Sequence, residues 1–553
     1  PIWVCEQCGT KALVSSKEEL AEKSGKPLAK DFELHRPWID RVVLKCNKCD
    51  GFMKREPFVL DCWFDSGSAP YARFTDEEFE KYVPVNFLTE AIDQTRGWAN
   101  TQLLLHVMLT EKPESPYRAF LFQGHVLDAK GRKMSKSLRN MLEANPVLDK
   151  TSADVFRFYV LWKCSAVDSM NFDLQELSKR PYQVLGTLYH LHKFFIQNAE
   201  YDNFSPKTHS LEWAEKNRVL RPVDMWLLSK LQGTVKLVTE NLEKCEFQFA
   251  LSELEDFVVD IVSCNYVPMV RKDLWTDDPK TLNRRLAIYS TLYHTLKVLV
   301  LLFNPATPFL CEALYQDLYH ELDSGLPESV NFESWPTLEE ALENKGLEEQ
   351  FEMLQKVISL TYSARQAAKL KRRWPLGEVQ VAASKTVLQS LKNLEDLFLE
   401  LANVKSVQYL LKPSEKEMGI SHEIHEGKVT SPLASEGYSN EQKWQIASEG
   451  DVQVRLATRR DKTLVGEGIM RDLARRVQSL RKELGFTPTD ILQTVHLAEL
   501  DTETVELLTP FLEKMAELVR AKKVRIHERR AEVKAEWHEY SFDDTRIYVA
   551  ITK

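Results

Sequence analysis

Long apolar runs and a secretory signal are both missing from this sequence of 553 residues. No run approaches the roughly 20 apolar residues that a membrane-spanning helix needs. Nothing near the start has the basic, apolar and small-residue order of a signal peptide. We therefore expect neither a membrane protein nor a secreted one. The first residue is Pro1 rather than Met, which predicts that the chain begins inside a longer protein.

Cysteine and positive charge are also in short supply. The nine cysteines form two close pairs, Cys5/Cys8 and Cys46/Cys49, and five single residues. This pattern does not indicate a disulfide framework and is typical of a reducing compartment, so a cytoplasmic location is expected. Acidic residues outnumber basic ones by 82 to 73, which gives a net charge of −9. Any contact with a nucleic acid must therefore use local basic faces.

The order of turn signals and apolar periodicities predicts a multidomain protein of α/β plus all-α class, because a chain of this length exceeds a single core. Residues 59–147 have the strand, helix, strand order of one half of a parallel sheet. We find no internal repeat. The expected domains are a cysteine-bearing module (1–58), the half sheet (59–147), a connecting region (148–210), a helix bundle (211–345) and a C-terminal α/β domain (346–553).

Individual elements follow from the same periodicities. The predicted strands are Val42–Leu44, Val83–Leu88, Ala119–Phe122, Val379–Ala382 and Arg546–Ile551. The predicted helices are Trp98–Leu109, Asp224–Leu242, Phe247–Val262, Arg284–Leu302 and Leu347–Lys371.

The two cysteine pairs predict a metal site. Cys5 and Cys8 share the spacing of Cys46 and Cys49, and glycine-containing turns follow both pairs. Two such knuckles close a tetrahedral zinc site without any other ligand, and a site closed by four sulfurs has a structural role. The alternative, four buried apolar cysteines, does not explain the shared spacing.

A lysine-rich pentamer is the second motif. It runs from Lys133 through Ser135 and Lys136 to Ser137, after a turn at Gly131. Lysine carries a compact charge suited to phosphate, and two lysines on one mobile loop suit a triphosphate, whose leaving pyrophosphate they would stabilise. Taken alone, such a pentamer is more often a solvated loop.

The pentamer resembles the signature loop, KMSKS, of the class I aminoacyl-tRNA synthetases. The surrounding residues resemble the isoleucyl enzymes of archaeal and eukaryotic type. This similarity extends to Asp61–Ser68, Glu90–Trp98 and Gly124–Leu127. The valyl enzymes are the nearest relatives, and they differ in the first of these stretches.

This resemblance implies a fold and a set of site residues. Residues 59–147 would be the second half of a Rossmann-type catalytic fold, 148–210 a stem-contact region, 211–345 an anticodon-binding bundle and 346–553 a tRNA-binding domain. Lys133, Ser135 and Lys136 would be catalytic, with Lys133, Lys136 and His125 facing ATP. For His125, simple packing is an equal alternative. Trp63 and Trp98 would form the apolar walls for the amino acid side chain, and polar groups of the adenylate would be held by Glu90, Asp93 and Gln94. An aliphatic side chain does require a dry, aromatic-lined slot with acceptors near its amino group.

The basic segment Arg365–Leu376 has two alternative interpretations. Its aromatic end at Trp374 could meet phosphates and a stacked base, or the segment could be a solvated helix face. Two further basic clusters, Arg471–Lys482 and Arg520–Arg530, are weaker candidates because cations at helical spacing commonly solubilise a face.

The sequence also departs from the family pattern. The His-x-Gly-His turn that forms the other half of the ATP site is absent from these residues, and we expect it, with the editing domain, in an amino-terminal portion. Side chains also differ from the usual family residue at five positions: Ala91, Ala99, Gln123, Arg139 and Asn265. Arg139 stands where a glycine normally follows the loop, and its side chain would restrict the hinge.

The predicted function is ATP-dependent ligation of L-isoleucine to tRNA(Ile) through an isoleucyl-adenylate, with magnesium bound to ATP and zinc as a structural ion. We expect the chain alone to be inactive without its missing half, in cis or as a separate subunit. The alternatives are a valyl-type synthetase and a noncatalytic tRNA-binding or scaffolding protein derived from a synthetase.

Overall fold

The computed structural model describes residues 2–58, 61–110, 114–274, 278–412, 443–487, 490–542 and 545–552. The chain divides into two compact units. The first comprises Pro1–Lys133 and Ala166–Asn171, and the second comprises Met134–Ser165 and Phe172–Lys553.

The first unit opens with a small antiparallel sheet. Its strands are β1 (Ile2–Cys5), β2 (Lys11–Leu13), β3 (Leu44–Lys45) and β4 (Phe52–Arg55), in the order β2-β1-β4-β3, and α1 (Lys17–Ser24) follows β2. Trp3 is fully buried at its centre and donates its indole N–H to the carbonyl of Val42 at 2.8 Å. The strand predicted at Val42–Leu44 begins only at Leu44, because residues 39–41 form a 3-10 turn.

The rest of the first unit contains the predicted strand, helix, strand order. Its elements are α2 (Cys62–Gly67), α3 (Ala69–Arg73), α4 (Asp76–Tyr82), β5 (Leu88–Ala91), α5 (Trp98–Thr110), β6 (Phe120–Gln123), β7 (Val126–Leu127) and β8 (Met170–Asn171). Strands β5 and β6 pair in parallel, as do β7 and β8. The prediction of a parallel pair flanking a helix is confirmed. The first strand begins at Leu88 rather than Val83, since Val85 makes only an isolated bridge to Tyr117.

The second unit begins with the predicted helix bundle, which is confirmed. Its helices are α6 (Ala144–Lys150), α7 (Ala153–Trp162), α8 (Leu174–Leu177), α9 (Arg180–Tyr201), α10 (Leu211–Lys216), α11 (Pro222–Glu243), α12 (Phe247–Asp256), α13 (Val267–Leu274), α14 (Leu282–Phe303) and α15 (Pro308–Leu314). Two π-helical segments, Phe257–Tyr266 and Tyr315–His320, continue α12 and α15.

One helical stretch of the described chain, Pro279–Phe303, has the length and apolar composition to cross a membrane, with a mean hydropathy of 1.6. Within the bundle, 72% of that window is buried against other helices. A buried core helix passes the same test of length and composition.

The C-terminal part consists of two modules with the same topology. The first module (345–457) contains α16 (Lys345–Ala367), β9 (Leu376–Ala383), α17 (Lys385–Asn393), α18 (Glu395–Ala402), β10 (Val404–Leu411), β11 (Trp444–Glu449) and β12 (Val452–Ala457). The second module (462–552) contains α19 (Lys462–Glu483), β13 (Thr494–Ala498), α20 (Thr502–Leu508), α21 (Leu512–Leu518), β14 (Val524–His527), β15 (His538–Phe542) and β16 (Thr545–Thr552). The strand orders β10-β9-β12-β11 and β14-β13-β16-β15 correspond position for position.

Each module contains a buried arginine at an equivalent position. Arg365, near the end of α16, donates to the carbonyls of Trp374, Ala402 and Asn403, each at 2.8 Å. Arg481, near the end of α19, donates to the carbonyls of Val519, Thr487 and Asp490. Each arginine thus ties its helix to the two segments that lead into the parallel strands of its own sheet. The expectation of no internal repeat is wrong at the level of structure.

This arrangement also changes the interpretation of the basic segment 365–376. Trp374 is only 7% exposed and donates its indole N–H to Asp472 of the second module at 2.9 Å. Lys371 and Arg373 form ion pairs with the same carboxylate. A buried indole cannot stack on a base, so the base-stacking interpretation is wrong. The solvated-face alternative holds for Lys369, Lys371 and Arg372, which are exposed, and contact of these cations with phosphate stays a prediction.

Candidate functional site

The two tryptophans of the predicted pocket lie on neighbouring helices. Trp63 is on α2, and its ring packs on the backbone at Gly97, where an added Cβ would lie 3.0 Å from the ring. Trp98 begins α5 and donates its indole N–H to the carbonyl of Ser66 at 3.0 Å. A side chain at Gly97 would therefore require Trp63 or Gln94 to shift by a few tenths of an ångström. Trp63 remains 39% exposed, so part of one ring is available to a ligand.

The predicted polar residues lie on and after β5. Gln94 belongs to a 3-10 turn, Ile92–Arg96, and its Oε1 would lie 3.0 Å from a Cβ at Gly97, beside the Trp63 ring. Its amide donates to Asp93 at 3.2 Å. Glu90 is exposed on β5 opposite Phe122. The structure therefore brings Trp63 and Gln94 together and places Asp93 beside them, while Glu90 stands on the adjoining strand.

The backbone before the signature loop passes very close to Asp168 at Gly124. A Cβ at residue 124 would lie 1.9 Å from the carbonyl oxygen of Asp168, so only glycine fits at this position. The next residue, His125, accepts a backbone hydrogen bond from Met170 at 2.9 Å, and its side chain is exposed. The sequence pointed to His125, whereas the structure shows that the adjacent residue, Gly124, cannot carry a side chain.

The turn before the lysines is organised by one carboxylate. Asp128 accepts hydrogen bonds from the backbone N–H of Lys130 at 3.0 Å and of Arg132 at 2.9 Å, and it pairs with the Arg132 guanidinium. Gly131 has a φ of 73° at the tip, and Lys133 bridges back to Leu127. The result is a tight hairpin that fixes where Lys133 leaves the sheet.

The remainder of the signature loop belongs to the second unit. Asn140 accepts the backbone N–H of Ser135 at 3.0 Å, and the hydroxyls of Ser135 and Ser137 lie 3.1 Å apart. Lys136 is exposed. Sequence reasoning missed Asn140, for which the only signal is an amide side chain just after the motif.

Arg139, the departure that follows the loop, has a φ of 51°. This left-handed conformation is the one that glycine adopts without cost and that a bulky side chain disfavours. Arg139 thus keeps the backbone conformation that suits the glycine usual in the family at this position.

The four paired cysteines converge. Their sulfur atoms all lie within 4.8 Å of one another, with Cys5 and Cys49 at 3.5 Å and Cys8 and Cys46 at 3.6 Å. Tetrahedral zinc with bonds of about 2.3 Å requires sulfurs about 3.8 Å apart. Two of the knuckle amides, those of Lys48 and Gly51, point at sulfur at 3.4 Å. Both the donor set and its spacing therefore fit zinc.

Hydrogen bonds shift the pKa values of two thiols in this cluster in opposite directions. Although the backbone N–H of Gly51 lowers it, hydrogen bonds with Cys5 and Cys8 raise the pKa of the Cys49 thiol to about 12. Hydrogen bonding to the Thr10 side chain, and then to its backbone, lowers the pKa of the Cys8 thiol to about 6. A thiolate is the form that binds a metal.

Two protein-family models match separate ranges of the chain. The family model described as tRNA synthetases class I (I, L, M and V) matches residues 1–173, and the anticodon-binding domain of tRNA ligase matches residues 224–382. The chain belongs to the class I tRNA synthetases. The matched regions contain the cysteine cluster, the tryptophan pair, the signature loop, most of the bundle and the start of the first C-terminal module.

Curated proteins similar to this chain include several isoleucine–tRNA ligases. That of Methanothermobacter thermautotrophicus is 38% identical over 74% of this chain and 39% of its own length. That of Methanopyrus kandleri is 31% identical over 100% of this chain and 55% of its own length. This class I chain therefore spans about half the length of the curated relatives it matches. Among solved structures, the LeuRS–tRNA–LeuAMS complex of Agrobacterium radiobacter matches with 22% identity and a TM-score of 0.45, over 62% of this chain and 42% of that one.

Proposed function

We propose that this chain supplies the signature-loop half of an isoleucyl adenylation site, together with the tRNA-binding domains that serve it. The reaction joins L-isoleucine to tRNA(Ile) through an isoleucyl-adenylate made from ATP and magnesium. The observation that carries the proposal is the assembly of Trp63 and Trp98 through Gly97 and Ser66, in a chain whose curated relatives are isoleucine–tRNA ligases.

The tryptophan pair has the chemistry of a pocket for an aliphatic side chain. Trp63 offers an exposed ring edge, and Trp98 is held against Phe120 with ring centroids 6.2 Å apart. Gln94, Asp93 and Glu90 supply acceptors within the same unit for the amino group and the ribose hydroxyls.

The signature loop has the chemistry of a pyrophosphate site. Lys133 and Lys136 would stabilise the negative charge that develops on the leaving pyrophosphate, and the exposed His125 would contact the nucleotide. Ser135 acts through the loop geometry, since its hydroxyl also accepts the backbone N–H of Leu138 at 3.3 Å.

An exposed apolar surface on α5 supports the need for a complementary half. Leu104, Met108 and Leu109 are 53%, 76% and 58% exposed, respectively. In the described part of the first unit, β5 and β6 form a sheet of only two strands. A helix face of this kind requires a covering layer. We propose that the amino-terminal portion of the catalytic domain, in cis or as a separate subunit, provides it.

Zinc is the proposed occupant of the cysteine cluster, with a structural role. A site closed by four sulfurs leaves no coordination position for a substrate. The ion would hold β1 and β4 together at the start of the catalytic unit.

Isoleucine-dependent ATP–pyrophosphate exchange tests the proposal. We expect exchange when the chain is combined with a complementary amino-terminal half, a preference for isoleucine over valine, and a loss of about 100-fold or more in Lys136→Ala. Lys130→Ala, a change of the same kind in the neighbouring hairpin, should retain activity. A folded, reconstituted pair without exchange would contradict the proposal.

The second candidate is a noncatalytic tRNA-binding protein derived from a synthetase. Arg139 favours it, because a side chain in the left-handed region stiffens the loop that must close on ATP. Specific binding of tRNA(Ile) by a reconstituted pair that makes no adenylate would select this candidate.

A further inference from the structure

Arg139, which departs from the family pattern, lies in the same tight turn as Lys136. Its backbone N–H donates to the carbonyl of Lys136 at 3.2 Å, so the two residues are the last and the first of a four-residue turn. The ends of such a turn lie within about 7 Å of each other. The side chains of Lys136 and Arg139 therefore start from neighbouring points of the loop.

Hydrogen bonds from two side chains hold the base of this turn. The amide oxygen of Asn140 accepts the backbone N–H of Ser135 at 3.0 Å, and the Ser135 hydroxyl accepts the backbone N–H of Leu138 at 3.3 Å. Arg139, with a φ of 51°, reverses the chain immediately before Asn140. The backbone that carries the two cations is thus fixed from both ends of the turn.

No carboxylate of the described chain neutralises these two cations. The side chains of Lys136 and Arg139 are exposed, and they form no ion pair or hydrogen bond with any residue that the structure describes. Residues 129–142 contain no acidic residue, and Asp128, which precedes them, is paired with Arg132. Two like charges on one short turn repel each other, and an anion bound between them removes that repulsion.

The guanidinium group of Arg139 offers phosphate a contact that a lysine cannot make. Its planar fork of N–H donors matches two oxygens of one phosphate group, whereas a lysine acts as a point charge. A chain of linked phosphates presents several anionic groups in a row. One of these groups can meet Lys136 while the next meets Arg139.

We propose that Arg139 is a third cation of the signature loop, which binds the phosphate chain of ATP beside Lys136 and holds the pyrophosphate as it leaves. The inference rests on the proposed function, which supplies ATP as the substrate. It gives the arginine that replaces the usual glycine a role in binding phosphate rather than in stiffening the loop.

The test measures binding of sodium tripolyphosphate to the whole 553-residue chain by isothermal titration calorimetry at low and at high salt. Arg139→Gln keeps a long polar side chain but removes the charge. We expect it to weaken binding about tenfold at low salt, and by less at high salt, because a charge-assisted contact on an exposed loop is lost. Arg139→Lys keeps the charge without the fork and should lose only about threefold.

Arg218→Gln is the matched control for the binding measurement. Arg218 is also exposed and also has a positive φ, of 55°, but it lies outside the signature loop. Its replacement should leave the affinity for tripolyphosphate within about twofold. Unchanged affinity in Arg139→Gln would overturn the proposal, as would an equal loss in Arg218→Gln or a wild-type chain that does not bind tripolyphosphate.

ATP–pyrophosphate exchange by the reconstituted pair separates phosphate binding from loop stiffening. Arg139→Gln should raise the KM for pyrophosphate about tenfold and leave the KM for isoleucine unchanged. Wild-type exchange in Arg139→Gln, with faster exchange in Arg139→Gly, would instead show that Arg139 only stiffens the loop and would overturn the proposal. A silent wild-type pair that still binds tripolyphosphate through Arg139 would support this inference and contradict the proposed function.

Discussion

At the scale of single residues, Arg139 shows how one side chain conflicts with its backbone. The left-handed conformation costs a residue other than glycine about 1–2 kcal/mol. Arg139→Gly removes this cost from the folded state, but glycine also makes the unfolded chain more flexible, which offsets part of the gain. We expect the free energy of unfolding of the second unit to rise by about 0.5–1 kcal/mol in this variant, as measured by thermal and chemical denaturation.

Arg139→Ala separates the backbone effect from the loss of charge. Alanine still has a Cβ in the left-handed region, so no gain in stability is expected. An equal gain in both variants would show that removal of the guanidinium, rather than relief of backbone strain, is the cause.

Single residues also show what the sequence could and could not predict. The four cysteines were predictable, because their spacing itself specifies the chemistry of a metal site. Trp374 was not, because its partner Asp472 lies 98 residues further along the chain and nothing local signals that contact. The lysines and tryptophans of the proposed site stay predictions until activity is measured.

At the scale of elements, the buried histidine of α9 predicts a dependence of stability on pH. His192 donates to the carbonyl of Leu188 at 2.8 Å and contacts the hydroxyl of Tyr319 at 3.0 Å. Burial lowers its pKa from 6.5 to about 4, although the Leu188 carbonyl raises it. The folded state therefore excludes a proton that the unfolded state accepts below about pH 6.5.

Above about pH 6.5 the histidine is neutral in both states and contributes no pH dependence, and as the pH falls from about 6.5 to 4 the bundle should lose about 3 kcal/mol of stability. Urea denaturation across this range measures the slope. His192→Gln should flatten it, whereas His190→Gln, at an exposed neighbour on the same helix, should not. A slope that persists in His192→Gln would assign the effect to other groups.

The cysteine-bearing sheet predicts a stoichiometric metal site. With cobalt in place of zinc, the wild-type chain should show the absorption bands of tetrahedral thiolate coordination at one ion per chain. Cys46→Ala should abolish these bands and lower the stability of the β1–β4 sheet by several kcal/mol, because binding of the ion is coupled to folding.

Cys62→Ala is the control for that measurement, since Cys62 is exposed and outside the cluster. It should bind cobalt as the wild-type chain does. A chain that binds no cobalt under reducing conditions, or binds equally well without Cys46, would exclude the four-sulfur site.

The elements themselves were predicted best where the periodicity is long. Helix α14 extends only two residues beyond the predicted Arg284 at its start and one beyond Leu302 at its end. The helix predicted to reach Lys371 instead ends at Ala367, because Lys369 turns into the left-handed region with a φ of 55°. Such a reversal depends on capping by the following chain, which an apolar pattern does not record.

At the scale of the whole molecule, the duplication of the C-terminal modules was invisible in the sequence. The shared signals are few and separated: a buried arginine, a left-handed residue four positions later (Lys369 or Gly485), and a second left-handed residue before the parallel partner strand. These positions hold different residue types in the two modules, apart from the arginine. Equivalent geometry can thus be kept by backbone hydrogen bonds while side-chain identity diverges.

The two arginines predict that the modules respond separately to equivalent changes. Arg365→Lys and Arg481→Lys each remove a planar fork that satisfies several buried carbonyls, and lysine cannot replace its geometry. Leaving those carbonyls unpaired should cost about 2–4 kcal/mol in each case. Hydrogen exchange should show faster opening of β9 and β10 in the first variant and of β13 and β14 in the second.

The double variant decides whether the modules are independent. The arginines share no hydrogen-bond partner, so their effects on exchange should add within about 0.5 kcal/mol. However, Glu467 of the second module accepts hydrogen bonds from Lys405 of the first module at 2.6 Å and from Lys514 of its own module at 3.0 Å. Burial raises the pKa of Glu467, but these two lysines outweigh it and lower the pKa to about 2. If Arg365→Lys also accelerates exchange in β13, the contacts between the modules couple them. Glu467→Gln should then restrict the effect to the first module if Glu467 carries the coupling, whereas an effect that persists would assign it to Asp472 and its partners Trp374, Lys371 and Arg373.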